Sequence, residues 1–295
     1  MARHRRSVKG TIQFASFLAI ALIGTACSDS ADTATTTTAA PATTTTAAPA
    51  TTSTIAVAEA VPEPLPRFIR DSMNPGQQQA YSFVSGDGIE IEYLLFVPED
   101  YEESRAWPLI LSLHGFLGAD PTLESVRDQN PLAWVDPNVE FPFVLVAPKA
   151  PDGPWSQYHE PMDELFDALG DSLSIDPEAL FITGLSAGSL GTYQWALARP
   201  DWFAGMAVIA GGVPSTGNLV REDICRLVDL PIWVAHSEAD EVVPIASDTA
   251  IVAELEECGS TAVRFTAYEE LRHAESISTA YAGPDLYEWM LEQVP

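Results

Sequence analysis

Basic residues are scarce in this chain: its 295 residues include 14 Lys and Arg against 42 Asp and Glu, a net charge of −28 at neutral pH. Four of the basic residues, Arg3, Arg5, Arg6 and Lys9, stand near the N-terminus, so the rest carries 10 − 42 = −32. A surface this acidic repels phosphate backbones and anionic headgroups; nucleic acid is not an expected partner, and the acid serves solubility. The five histidines and three cysteines show no zinc-site spacing and no glycine-rich phosphate loop is present, so neither metal nor cofactor is expected. The apolar run near the start, residues 12–23 with Gln13 and Ser16 inside it, is shorter than the roughly 20 residues of a spanning helix. Large side chains, by contrast, are plentiful: 46% of the chain is hydrophobic, with 7 Trp, 8 Tyr and 12 Phe, enough for one sizeable core.

The basic start followed by the short apolar run has the grammar of a signal peptide, expected over residues 1–26. It stops at Gly24-Thr25-Ala26-Cys27, a tetrad that resembles a lipobox and makes Cys27 the expected lipid-attachment residue and mature N-terminus. The tetrad has Gly24 where Leu is usual, and simple secretion is the alternative; Arg5-Arg6 is also compatible with a twin-arginine route. The expected location is therefore outside the cell, on the outer face of its membrane if Cys27 carries lipid. Residues 28–54 are Thr, Ala and Pro with almost no large apolar side chain, and cannot offset the entropy of ordering by burial. With the stiff Pro62, Pro64, Pro66 run they predict a tether over 27–66, ahead of a folded domain over 67–295.

Within that domain, apolar runs alternate with helical patterns. Strands are expected at 89–97, 109–113, 143–147, 180–183, 205–210, 231–235 and 263–268, and helices at 162–173, 187–199, 247–257 and 285–293, the second closed by Pro200. The alternation predicts an α/β class: a mostly parallel central sheet flanked by helices. If Cys27 is lipidated, Cys225 and Cys258 remain as an even pair in an exported chain, and a disulfide between them is expected.

The most informative segment is Leu180-Phe-Ile-Thr-Gly-Leu-Ser-Ala-Gly188, an apolar strand entering a G-x-S-x-G turn ahead of a helix. Such a turn exposes the Ser186 hydroxyl on a strained backbone, and residues without bulk at 184 and 188 let strand and helix approach. Ser186 is the candidate nucleophile. In chains with this elbow the partners follow in the order serine, acid, histidine. His273 follows a plausible acid and is the candidate base, expected in a loop after the last strand. After the strand at 231–235 stand Glu238, Asp240 and Glu241; Asp240 is the choice for the acid that orients His273, with the two glutamates as rivals. An oxyanion formed on attack needs two preorganised donors, expected to be the backbone N–H groups of Ala187 and of Phe116, which follows His114-Gly115 at a strand end.

On these residues the chain resembles the esterase and "predicted peptidase" branch of the α/β-hydrolases, similar to polyhydroxybutyrate-depolymerase-like, feruloyl-esterase-like and phospholipase/carboxylesterase proteins. The resemblance runs from about Tyr93 to the C-terminus, through Tyr93-Leu-Leu-Phe-Val-Pro-Glu-Asp-Tyr101, Trp107-Pro-Leu-Ile-Leu-Ser-Leu-His-Gly115, the Ser186 elbow, Arg199-Pro-Asp-Trp-Phe-Ala204 and Asp240-Glu-Val-Val-Pro244. It implies hydrolysis of carboxylic esters by a Ser-His-Asp acyl-enzyme mechanism without cofactor, on a small or polymeric ester. Trp155 and Tyr158 resemble an aromatic segment that borders the site in this branch, which with His114 makes them candidate pocket residues, core packing being the other fate of such aromatics. The chain departs from the family at Ser189, His236-Ser237 and Arg272-His273-Ala274, where the family favours glycine after the elbow, His-Gly and Gly-His. A peptidase or thioesterase with the same residues, or a non-catalytic binding lipoprotein, are the rival readings.

Overall fold

The computed structural model describes Ile69 and residues 72–150, 154–212 and 223–294, all within one compact unit, Ala58–Pro295. The expected signal peptide, Cys27 and the expected tether lie outside the described residues. Eight strands form one sheet: β1 (Gln79–Val84), β2 (Glu90–Phe96), β3 (Trp107–Leu113), β4 (Val144–Pro148), β5 (Ile175–Leu185), β6 (Gly205–Ile209), β7 (Ile232–Ser237) and β8 (Val263–Tyr268). Their order is β1-β2-β4-β3-β5-β6-β7-β8, with β1/β2 and β2/β4 antiparallel and every other pair parallel. The α/β class and mostly parallel sheet expected from the sequence are what is found.

The parallel strands are apolar on both faces because helices cover both. All seven residues of β3 are buried. Alternation sends Leu109, Leu111, Ile182, Val208 and Val234 into one core, and Ile110, Phe181, Ile209 and Ala235 into the other. The first core is closed by α2 (His159–Ser172), α3 (Ala187–Ala198) and α4 (Ala246–Glu257), the second by α5 (His273–Ala282) and α6 (Pro284–Glu292). A short α1 (Leu123–Arg127) precedes β4. Among the described residues no helix is long and apolar enough to cross a membrane.

Two elements depart from expectation. β1 is an edge strand whose sequence, Gln-Ala-Tyr-Ser-Phe-Val, is mostly polar or exposed and buries one residue fully, so it lacks the apolar run by which the other strands announce themselves. His273 opens α5 and does not lie in a loop. Glu275 Oε2 accepts from the Arg272 amide at 2.8 Å and Glu241 Oε2 from the His273 amide at 3.2 Å, so the orphan donors of the first turn are met by side chains. Cys225 and Cys258 form the disulfide, which ties the 3₁₀ turn Ile224–Leu227 to the C-terminal end of α4.

Candidate active site

The carboxyl ends of β3, β5, β7 and β8 lie along one edge of the sheet, with β6 between β5 and β7, the edge at which parallel sheets present their ligands. From them emerge in turn the His114-Gly115-Phe116 segment, Ser186, Asp240 and His273. Ser186 has φ 51° and ψ −120°, a backbone strained for any residue with a side chain. It is held there because its amide donates to the Ile209 carbonyl at 2.9 Å and its carbonyl accepts from the Ser189 amide at 3.1 Å. The turn also depends on absent side chains. A Cβ on Gly188 would collide with the Leu113 and His114 carbonyls, and one on Gly184 with the Gly188 carbonyl. Ser189, where the family favours glycine, is fully buried and donates to the Gly184 carbonyl at 3.0 Å.

His273 Nε2 lies 3.1 Å from Ser186 Oγ, and its Nδ1 lies 2.7 Å from Asp240 Oδ2. With the Asp240 carboxylate as acceptor, Nδ1 carries the proton and Nε2 is left to accept from the serine hydroxyl. Asp240 Oδ1 accepts from the Val242 and Val243 amides, each at 2.8 Å. Burial alone would raise the Asp240 carboxyl, yet the hydrogen bonds from His273, Val243 and Val242 hold it below its ordinary value and keep it ionised. Of its rivals, Glu238 is exposed, while Glu241 holds the Arg272 guanidinium and the His273 amide without reaching the imidazole ring.

Gly115 packs against the elbow, since a Cβ there would stand 2.9 Å from Leu185 Cδ1 and 3.1 Å from Ser186 Cβ. Gln129 brackets the next peptide: its Oε1 accepts from the Gly115 amide at 3.0 Å and its Nε2 donates to the Phe116 carbonyl at 3.2 Å. Phe116 itself is 78% exposed. The three candidate pocket residues are placed differently. His114, Trp155 and Tyr158 are buried; Trp155 Nε1 donates to the His114 carbonyl at 3.1 Å and the Trp155 ring fills the space left by Gly191 on α3. They brace the first turns of α3 and present little surface. His114 is neutral: burial is the main reason its imidazole is pushed down to about 4, with Lys149 adding to it and the Gly115 carbonyl opposing.

Three partners were not legible from spacing alone. Gln129 lies thirteen residues from the segment it holds, and His236 with Asp248 stands behind Asp240. Among the described residues no cluster of His, Cys, Asp and Glu has the arrangement of a metal site.

A model of the phospholipase/carboxylesterase family matches residues 152–279. "Probable feruloyl esterase C" of Aspergillus terreus is 31% identical over 158 residues, which is 52% of this chain and 56% of that protein. "Carboxylesterase SOBER1" of Arabidopsis thaliana is 28% identical over 191 residues, 57% of this chain and 83% of that protein. A crystal structure of a thermostable esterase superposes with a TM-score of 0.62 at 31% identity, covering 73% of this chain and 62% of the other. The chain spans about half the length of the feruloyl esterases it matches. With its sheet order, its serine elbow and these likenesses together, the chain has the α/β-hydrolase fold and is similar to the esterase branch of that superfamily.

Proposed function

We propose that this protein is an exported serine hydrolase that cleaves carboxylic esters through Ser186, His273 and Asp240. The observation that carries the reading is the unbroken line from Ser186 Oγ to His273 Nε2 at 3.1 Å and from His273 Nδ1 to Asp240 Oδ2 at 2.7 Å. Ser186 attacks the ester carbonyl carbon while its proton passes to His273 Nε2, and the imidazolium that forms is stabilised by Asp240. The oxyanion is met by the amides of Ala187 and Phe116, the former at the positive end of α3. Collapse expels the alcohol, which takes the proton from His273. Water, deprotonated by the same nitrogen, then attacks the acyl-serine and releases the carboxylic acid.

The names of the relatives favour acyl groups of the feruloyl kind, and the exposed Phe116, which follows Gly115 of the elbow packing, offers an apolar ring to such a group. The Cys225–Cys258 disulfide is what an exported chain accommodates, in keeping with a signal peptide over 1–26 and a lipid on Cys27. The test uses the full chain. A fluorophosphonate is expected to label Ser186, and a panel of aryl and alkyl esters to be hydrolysed in preference to amides. Ser186→Ala is expected to abolish labelling and hydrolysis with no change in thermal unfolding; a variant that remains an active esterase overturns the reading. Cys27→Ala is expected to move the protein from the membrane to the soluble exported fraction, and unchanged detergent partitioning overturns the anchor.

A further inference from the structure

Behind the candidate acid lies a second, fully buried pair of histidine and aspartate, His236 and Asp248. Asp240 Oδ2 meets two imidazoles, His273 Nδ1 at 2.7 Å and His236 Nε2 at 3.1 Å. His236, next to last in β7, also points Nε2 at the Val243 carbonyl, 2.9 Å away, and Nδ1 at Asp248 Oδ2 on α4, 2.6 Å away. The side chains of His236, Asp240 and Asp248 have no exposed surface. Burial pushes the Asp248 carboxyl up while His236 pulls it down; with both carboxylates ionised, each ring nitrogen of His236 faces only acceptors and carries a proton to satisfy them. A neutral imidazole would set a lone pair against a carboxylate oxygen in a water-free site, a contact that costs free energy on both sides.

We propose that His236 is a buried imidazolium clamped between Asp248 and Asp240, and that this pair positions Asp240 for its work on His273. The proposal rests on the hydrolytic reading of Ser186. The charged and titratable groups facing His236 are Asp240 from the loop after β7 and Asp248 from the first turn of α4. Tyr193 of α3 lies near Asp248, and His273 of α5 lies across Asp240. Burial opposes charge on His236, but the hydrogen bond and charge of Asp248, then the Val243 carbonyl and Asp240, carry the imidazole above its ordinary value. Asp248 provides the counter-charge that lets His236 stay protonated. The Nε2–H then fixes Oδ2 of Asp240, while Val242 and Val243 fix Oδ1, so the carboxylate cannot rotate away from His273. A fixed cation beside Asp240 also keeps it ionised when the surroundings acidify, which extends activity toward low pH. An apolar pair of like volume would serve stability as well as a buried ion pair does, so stability alone does not call for these residues.

Two measurements on the full chain test this. In protein labelled with ¹⁵N-histidine, both ring nitrogens of His236 are expected to be protonated at about pH 8, well above the ordinary histidine value. A neutral His236 ring at that pH overturns the proposal whether or not any ester is hydrolysed. In the pH profile of ester hydrolysis, Asp248→Asn removes the counter-charge while keeping the shape. It is expected to lower kcat by about tenfold with KM unchanged and to move the acid limb up by about one pH unit, the scale of one charge-assisted hydrogen bond. Asp248→Glu, which keeps the charge, is expected to restore the limb. A folded Asp248→Asn variant with the parent's limb and kcat overturns the positioning role, as does a loss of active protein with the limb unmoved. Failure of the hydrolytic reading shows separately, as absence of both ester turnover and fluorophosphonate labelling in the parent protein.

Discussion

On the β3–β5 side of the site the backbone sets the geometry: Ser186 is held by peptide hydrogen bonds and by the missing side chains of Gly115, Gly184 and Gly188. On the β7–β8 side the setting is done by side chains, with Asp240, His273, His236, Asp248, Glu241 and Arg272 joined in one hydrogen-bonded group that spans two helices and a loop. The first arrangement is short-range and steric. The second is long-range and electrostatic, and its members come from positions up to 37 apart, from His236 to His273. A glycine that gains a methyl fails by collision, whereas a network that loses a charge fails by leaving its neighbour unpaired.

Substitutions that should act differently on the two sides probe this contrast. The largest effect is expected within the side-chain network, where Asp240→Asn should lower kcat by about 10⁴-fold because the imidazole loses the acceptor that fixes its tautomer. Glu241→Gln should stay within about tenfold, since its contacts are an exposed ion pair and one amide. Steady-state kinetics decide, and equal losses in the two variants would break the assignment of the acid. Next comes the steric side: Gly188→Ala drives a Cβ into the Leu113 and His114 carbonyls and should cost about 3 kcal/mol or more of stability along with most activity. A variant with the parent's urea midpoint would show that the elbow is not set by bulk.

The disulfide braces α4, which carries Asp248. Replacing Cys225 and Cys258 together by serine opens a loop of sequence separation 33 and should lower stability by about 3 to 4 kcal/mol in the chain-entropy model. The check is the denaturation midpoint of the double variant against the parent, and native protein whose thiols alkylate without reductant would refute the bridge. The smallest effect belongs to His114. Its folded value of about 4 lies below the ordinary 6.5, so its contribution is complete above 6.5 and fades as pH falls toward 4, where the unfolded chain takes up the proton first. The loss across that window is on the order of 3 kcal/mol. His114→Gln should flatten the pH dependence of the unfolding free energy between those values, and a slope equal to the parent's would remove His114 as its cause.

Local pattern and long-range pattern were not equally readable. The seven apolar strands and the helices α2, α3, α4 and α6 follow from period and propensity, because a parallel sheet covered on both faces demands continuous apolar runs. β1 escaped because its sequence offers no apolar run and buries only Phe83 fully, and α5 because its polar first turn, Arg272-His-Ala-Glu275, is capped by Glu241 from another loop. The aromatic character of His114, Trp155 and Tyr158 suits a pocket wall and a core equally well, and their burial is not written in the sequence.

The sequence by itself determined the serine elbow, since G-x-S-x-G between a strand and a helix is a local steric requirement, and it determined the chain order of the acid and base candidates. It also determined the acidic surface and the even cysteine pair. Only the tertiary structure decided which of three neighbouring carboxylates reaches His273, that Gln129 holds the Phe116 peptide, and that His236 and Asp248 stand behind Asp240. Those choices depend on where the ends of β3, β7 and β8 and the start of α4 meet in space. Hydrogen bonds act over about 3 Å whatever the separation along the chain, and a linear pattern carries no record of that distance.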